Sequence, residues 1–132
     1  MSAAAKLAPF RFRLDLASGV PVYRQLIEQV LNGIALGSLH PGQQLPTMRQ
    51  AAVDLAINPN TVVRAYRELE LRGTIDTHQG TGTFVSTQKV KRNDAERQRQ
   101  LSQIVSEFVA RAAAAGFTAQ DLLERLQEGS RS

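Results

Sequence analysis

At 132 residues the chain has room for one ordinary domain and a small appendage, and its 42% hydrophobic content is that of a folded globule. No apolar run approaches the roughly 20 residues of a bilayer-spanning helix, and the absence of cysteine excludes disulfides and thiolate metal sites, which fits a cytoplasmic location without requiring one. A net charge of +4 with a pI near 10.1 favours a polyanionic partner only weakly: residues 21–86 hold five basic and five acidic side chains, and the excess lies outside them, at Lys6, Arg11, Arg13, Lys89, Lys91, Arg92, Arg97 and Arg99.

Residues 1–9 are Ala-rich and lack a long apolar core and a cleavage site, so they read as a flexible tail and not a signal peptide. Phe10 to Leu16 alternates apolar and polar residues, the period of a half-buried strand, until Ser18-Gly19 breaks it. Pro21 suits the first position of a helix, where its missing N–H is not needed. Tyr23, Leu26, Ile27, Val30, Leu31 and Ile34 then recur at helical spacing and form one core-facing stripe, which Gly37 ends. Pro41-Gly42 makes a turn.

The next helix opens at Thr47, with Gln50 placed to complete a capping box. Met48, Ala51, Ala52 and Leu55 are its apolar stripe, and Ile57 occupies the turn that follows. Asn58-Pro59 is a strong start signal, an amide cap followed by a proline that needs no donor. In the helix beyond it Val62, Tyr66 and Leu69 face inward, which points Asn60, Thr61, Arg64 and Arg67 away from the core. Two short helices joined by a tight turn, the second opened by small polar residues, form a helix-turn-helix pattern. Gly73 stops the second helix. Ile75 to Gln79 and Thr83 to Ser86 read as two strands joined at Gly80-Thr81-Gly82, a wing.

From Thr87 to Gln98 the chain is polar and passes from linker into helix. Leu101, Ile104, Val105, Phe108, Val109 and Ala112 repeat the helical stripe, Gly116 stops it, and a final helix from near Thr118 carries Leu122, Leu123 and Leu126. The expected fold is mainly α with a small β-hairpin wing: a tail over 1–9, a winged helix-turn-helix over 10–86, and a linker with a two-helix region over 87–132. One helix and a short second one cannot enclose their own core. The stripe formed by Leu101, Ile104, Val105, Phe108, Val109, Leu122, Leu123 and Leu126 is therefore the expected interface of a symmetric homodimer, with packing onto the winged helix as the alternative.

On these residues the chain resembles GntR-type transcriptional regulators. Leu45-Pro46-Thr47-x-Arg49 matches the family's opening signature, and Asn58-Pro59-Asn60-Thr61-Val62-x-Arg64-Ala65-Tyr66-x-Glu68-Leu69-Glu70, with Gly73 and the Gly80-Thr81-Gly82-Thr83-Phe84-Val85 wing, is closer still. The Asn-Pro-Asn-Thr form is the one used by the YtrA and MocR branches. MocR proteins continue into a large pyridoxal-phosphate domain, which a chain ending at Ser132 is not expected to contain. YtrA-type proteins are similar to this chain in carrying a short two-helix dimerisation region. The resemblance implies a dimeric repressor, and it implies that Arg49 contacts DNA. Many members carry arginine where Pro59 and Val63 stand here, and a cation at Thr81, so their base readout does not transfer.

Major-groove reading by the N-terminal end of the second motif helix makes Asn60, Thr61 and Arg64 the base-edge candidates, with Arg67 nearer the phosphates. Asn58 and Thr47 are caps first and phosphate contacts second. His78, Gln79, Gly80 and Thr81 are the wing residues placed to reach the minor groove or backbone. The bland alternative pairs Arg64 and Arg67 with Glu68 and Glu70, and Arg49 with Asp54. A protein-interaction module would want apolar anchors where these polar residues stand. An enzyme would need a nucleophile, a metal set or a phosphate loop, and Gly80-Thr81-Gly82 lacks the ending of a Walker loop. His40 and His78 are too far apart in sequence to suggest a ligand pair. Double-stranded DNA is the expected partner, with no metal, cofactor or membrane; the sequence leaves a small-molecule effector open.

Overall fold

Helix α1 (Val22–Leu36) forms where the apolar stripe repeats, and it buries Leu26, Ile27 and Val30. It begins one residue later than expected: Pro21 is extended at ψ 143° and acts as the N-cap, its carbonyl taking the N–H groups of Arg24 and Gln25. The structure, a computed structural model, describes residues 9–87 and 93–131 and divides into two compact units, residues 1–87 and 88–132. The expectations for residues 1–8 and for Lys89, Lys91 and Arg92 lie outside the described residues.

After α1 come β1 (Gln44–Leu45), α2 (Met48–Leu55), α3 (Pro59–Leu71) and the hairpin β2 (Ile75–His78) and β3 (Gly82–Val85). Helix α3 packs on α1, α2 and β2. Val62, Ala65, Tyr66 and Leu69 are fully buried along one face and meet Leu26, Val30, Leu39, Leu45, Ile75 and Val85 in a single core. Each fully buried aliphatic side chain contributes about 1.5–3 kcal/mol of transfer free energy, so α3 is held chiefly by its inward stripe.

The sheet has three antiparallel strands in the order β1-β3-β2, with Gln44 opposite Phe84 and Ile75 opposite Val85. β1 is an addition to the expected hairpin. Its two residues pair with a strand some forty positions later, a contact without local periodicity. The hairpin itself turns at Gln79, Gly80 and Thr81, so Gly82 belongs to the strand and not to the tip. Gly80 sits at φ 85°, and the Thr81 N–H returns to the His78 carbonyl at 3.0 Å.

The segment from Phe10 to Leu16 corrects another expectation. Phe12 lies in the core with Phe10 and Leu14 packed against it, but the segment joins no sheet, and its last residue, Leu16, sits in a turn and is exposed. Amide side chains of α1 satisfy the backbone groups of Arg13 and Asp15 within it. Gln29 Oε1 accepts from Arg13 N–H at 2.8 Å and Gln25 Oε1 accepts from Asp15 N–H at 2.9 Å, while both glutamine NH2 groups donate back to carbonyls of the same segment. The alternation reported burial as far as Leu14, and glutamines took the place of a neighbouring strand.

In the second unit, α4 (Asp94–Ala114) is capped by Asn93, whose Oδ1 takes the N–H groups of Ala95 and Glu96. Helix α5 (Ala119–Arg131) follows it and touches it at a few positions. Thr118 opens α5 with a reciprocal box: Asp121 Oδ2 accepts from Thr118 N–H at 2.8 Å, and Thr118 Oγ1 accepts from Asp121 N–H at 3.2 Å. The Thr118 backbone N–H, followed by its hydroxyl, holds the Asp121 carboxyl below its ordinary pKa. No residue of α4 is buried, and Leu101, Ile104, Val105, Phe108 and Val109 are exposed along it, with Phe117, Leu123 and Leu126 exposed beyond.

Candidate nucleic-acid interface

Two caps define the helix-turn-helix. Thr47 Oγ1 accepts from Gln50 N–H at 3.1 Å at the start of α2, and Asn58 Oδ1 accepts from Asn60 N–H at 2.8 Å at the start of α3, with Pro59 in the first turn. Between the helices Ala56 takes a left-handed conformation at φ 55° and ψ 47°, a position usually given to glycine. Its N–H and that of Ile57 both reach the Ala52 carbonyl, which closes α2 and sets the angle at which α3 departs. Ile57 is half-buried against the core, as the turn position requires.

With its inward stripe fixed, α3 leaves Asn60, Arg64 and Arg67 exposed and Thr61 and Val63 half-exposed. The carboxylates expected to neutralise these cations are engaged elsewhere. Glu68 pairs with Arg72 at 3.4 Å, and Glu70 accepts from the Thr77 hydroxyl at 2.7 Å. Among the described residues no ion pair involves Arg49, Arg64 or Arg67, and Asp54 is not paired with Arg49. Arg64 has a different neighbour. Its guanidinium carbon lies 3.8 Å from the centroid of the Tyr23 ring, over the ring face. Tyr23, Asn60, Val63, Arg64, Arg67, Glu68 and Leu71 line one open concavity of about 590 Å³. Thr61, Arg49 and the wing residues are not part of it.

His78, Gln79, Gly80 and Thr81 are all exposed at the hairpin tip. The His78 ring lies edge-on to Phe84 at 5.5 Å, and the Thr81 hydroxyl donates to the His78 carbonyl at 3.1 Å. Gln44 on β1 donates through Nε2 to the Thr81 carbonyl at 3.3 Å, tying the tip to the strand opposite. Tyr23 and Gln44 were missed in the sequence. Tyr23 carries the same signal as any core residue of α1, and Gln44 lies between the Pro41-Gly42 turn and the next helix with no pattern of its own. Among the described residues no cluster of side chains could hold a metal ion, and no helix is long and apolar enough to cross a membrane.

Residues 22–85 match the gntR family of bacterial regulatory proteins. The chain is 39% identical over 114 residues to the HTH-type transcriptional regulator Rv1152 of Mycobacterium tuberculosis, covering 86% of this chain and 89% of that protein. The chain belongs to the GntR family. It is also 32% identical over 116 residues to the HTH-type transcriptional repressor YtrA of Bacillus subtilis, covering 88% and 89% of the two chains. The structure of YtrA from Sulfolobus acidocaldarius, a GntR-family transcription factor, superposes with a TM-score of 0.54 at 28% identity over 89% of this chain and 94% of that one. This GntR chain is thus of the YtrA type, a DNA-binding transcriptional regulator with a winged helix-turn-helix, and its relatives extend over the two C-terminal helices as well.

Proposed function

We propose that the chain is a homodimeric repressor that occupies a pseudo-palindromic operator, each protomer laying the N-terminal half of α3 in a major groove. The observation that carries this reading is the set of uncompensated side chains Asn60, Arg64 and Arg67 on the face of α3 opposite its buried stripe. A major groove accepts an α-helix and displays a distinct donor and acceptor pattern for every base pair. Asn60, Thr61 and Arg64 read base edges; Arg67 and Arg49 meet phosphates. Asn58 adds a phosphate contact at the helix start, where free N–H groups favour an anion. The wing residues His78, Gln79, Gly80 and Thr81 lie along the adjacent backbone or minor groove.

Dimerisation falls to the C-terminal unit. Leu101, Ile104, Val105, Phe108 and Val109 on α4, with Leu122, Leu123 and Leu126 on α5, form an apolar surface that a second copy covers. The winged helix takes residues 10–86 and the dimerisation region residues 87–132. Two recognition helices related by a twofold axis read half-sites about one helical turn apart, near 34–36 Å. Repression by occupancy is supported by the repressor function named for the B. subtilis relative. It needs neither catalysis nor a cofactor, and it is exercised in the cytoplasm.

Selection of bound duplexes from a random library, repeated with Arg64→Ala over a salt series, tests the whole reading. The expected result is an inverted repeat whose half-site loses one preferred base pair in the variant, at a cost of about 1–3 kcal/mol. Affinity should fall with log salt by about 0.9 per phosphate contact. Enrichment of a single half-site bound by one chain overturns the dimer, and no enrichment at all overturns sequence-specific reading.

A further inference from the structure

We infer that Tyr23, on α1 and outside the helix-turn-helix, is the positioning residue that sets base specificity by clamping the guanidinium of Arg64. The inference rests on Arg64 reading a base edge, and the test separates the two ideas.

An arginine on an exposed helix face samples many rotamers, and ordering it on binding opposes association. Here Arg64 Cζ lies over the Tyr23 ring at 3.8 Å from its centroid, the geometry of a cation–π contact. Tyr23 is itself half-buried and packed against the core cluster, so the platform is as fixed as α1. The stack engages the face of the guanidinium. Its N–H donors lie in the plane and point outward, and they remain free for a bidentate contact to guanine O6 and N7. Stacking and base reading thus use different parts of one group. Glu68, the nearest carboxylate on the helix, is turned to Arg72 and does not draw Arg64 away from the ring. Tyr23, Asn60 and Arg64 line the same concavity, so whatever enters it meets the clamp.

The same geometry separates the two arginines of α3. Among the described residues Arg67 has no stacking partner, while Arg64 is ordered before DNA arrives. A pre-ordered planar donor discriminates between bases, whereas a loose cation follows phosphates.

The test uses the full-length chain and the duplex it selects from a random library, with every half-site base pair varied singly. Tyr23→Leu removes the ring, Tyr23→Phe keeps it, and Arg64→Ala removes the clamped group. Tyr23→Leu is expected to lower discrimination roughly three- to tenfold at the base pair whose preference Arg64→Ala abolishes, and at no other. Tyr23→Phe should keep full discrimination, and adding Tyr23→Leu to Arg64→Ala should change nothing further at that pair. Thermal melting of each variant identifies loss of fold, and the Phe variant decides the matter if the Leu variant unfolds: a flattened preference in Tyr23→Phe overturns the stacking role. Discrimination untouched by Tyr23→Leu, while Arg64→Ala flattens it, overturns the clamp and leaves Arg64 as the reader. An unchanged preference in Arg64→Ala overturns both. A uniform loss of affinity across all sequences in Tyr23→Leu assigns the residue to general packing and also overturns the clamp.

Discussion

Tyr66 gathers three segments of the winged helix at one side chain. Its hydroxyl donates to the Pro46 carbonyl at 2.6 Å, its ring centroid lies 6.3 Å from that of Phe12, and it is itself fully buried in α3. Burial pushes its phenol well above the ordinary tyrosine range. A group whose folded pKa is raised contributes stability that is complete below the unfolded value, here 10.0, and is lost as pH rises towards the folded one. Tyr66→Phe is therefore expected to cost about 1 kcal/mol at neutral pH through the lost hydrogen bond. It should also remove part of the alkaline loss of stability seen in the unaltered chain. Urea titrations at pH 7 and above pH 10 check both, the first as a lower midpoint at unchanged slope. The inward place of Tyr66 was legible from its spacing with Val62 and Leu69. Its bond to Pro46 was not, because the partner lies twenty residues away on another element.

At the scale of elements, caps were the most legible features because their chemistry is local. Thr47 with Gln50, and Asn58 with Pro59, stand within three residues of the groups they serve. The turn between α2 and α3 was harder, since the left-handed position carries alanine in place of the glycine that marks such a turn. At φ 55° that alanine is strained by about 1–2 kcal/mol, partly offset by the greater freedom glycine would have in the unfolded chain. Ala56→Gly is expected to stabilise the chain by about 0.5–1 kcal/mol, measured as a raised melting temperature with DNA affinity retained. A fall in melting temperature would mean that the alanine methyl packs usefully. β1 was invisible for a different reason: two residues have no period, and their pairing with Phe84 and Thr83 is set by the approach of distant segments. The Phe10–Leu16 alternation gave burial correctly for Phe10, Phe12 and Leu14 but not for Leu16, which is exposed, and it could not say whether a strand or a helix side chain would satisfy the backbone.

At the scale of the molecule, the two units differ in how they use apolar residues. The winged helix encloses its own core, whereas α4 leaves its stripe in water, with Phe108 46% exposed and Ile104 59% exposed. The stripe was legible in the sequence; what covers it was not, because a periodic apolar face marks itself and not the surface that lies against it. Phe108→Asp is expected to convert the proposed dimer to monomers at micromolar concentration while leaving the winged helix folded, which sedimentation and circular dichroism would establish. Unlinking the two recognition helices removes their shared effective concentration, so affinity for the selected inverted repeat should fall about 10²–10⁴-fold. A variant that remains dimeric would move the interface away from this stripe.

The chain has two tyrosines and no tryptophan, and they stand in opposite settings. Tyr66 is enclosed in the core, while Tyr23 lies under the Arg64 guanidinium in the concavity beside α3. The chain thus carries two intrinsic fluorophores, one enclosed with the fold and one at the proposed recognition surface, without an indole to drown their emission. In the Tyr66→Phe chain a single emitter remains, seated at the recognition surface, and operator association could be followed by ultraviolet emission alone, without a dye on either molecule.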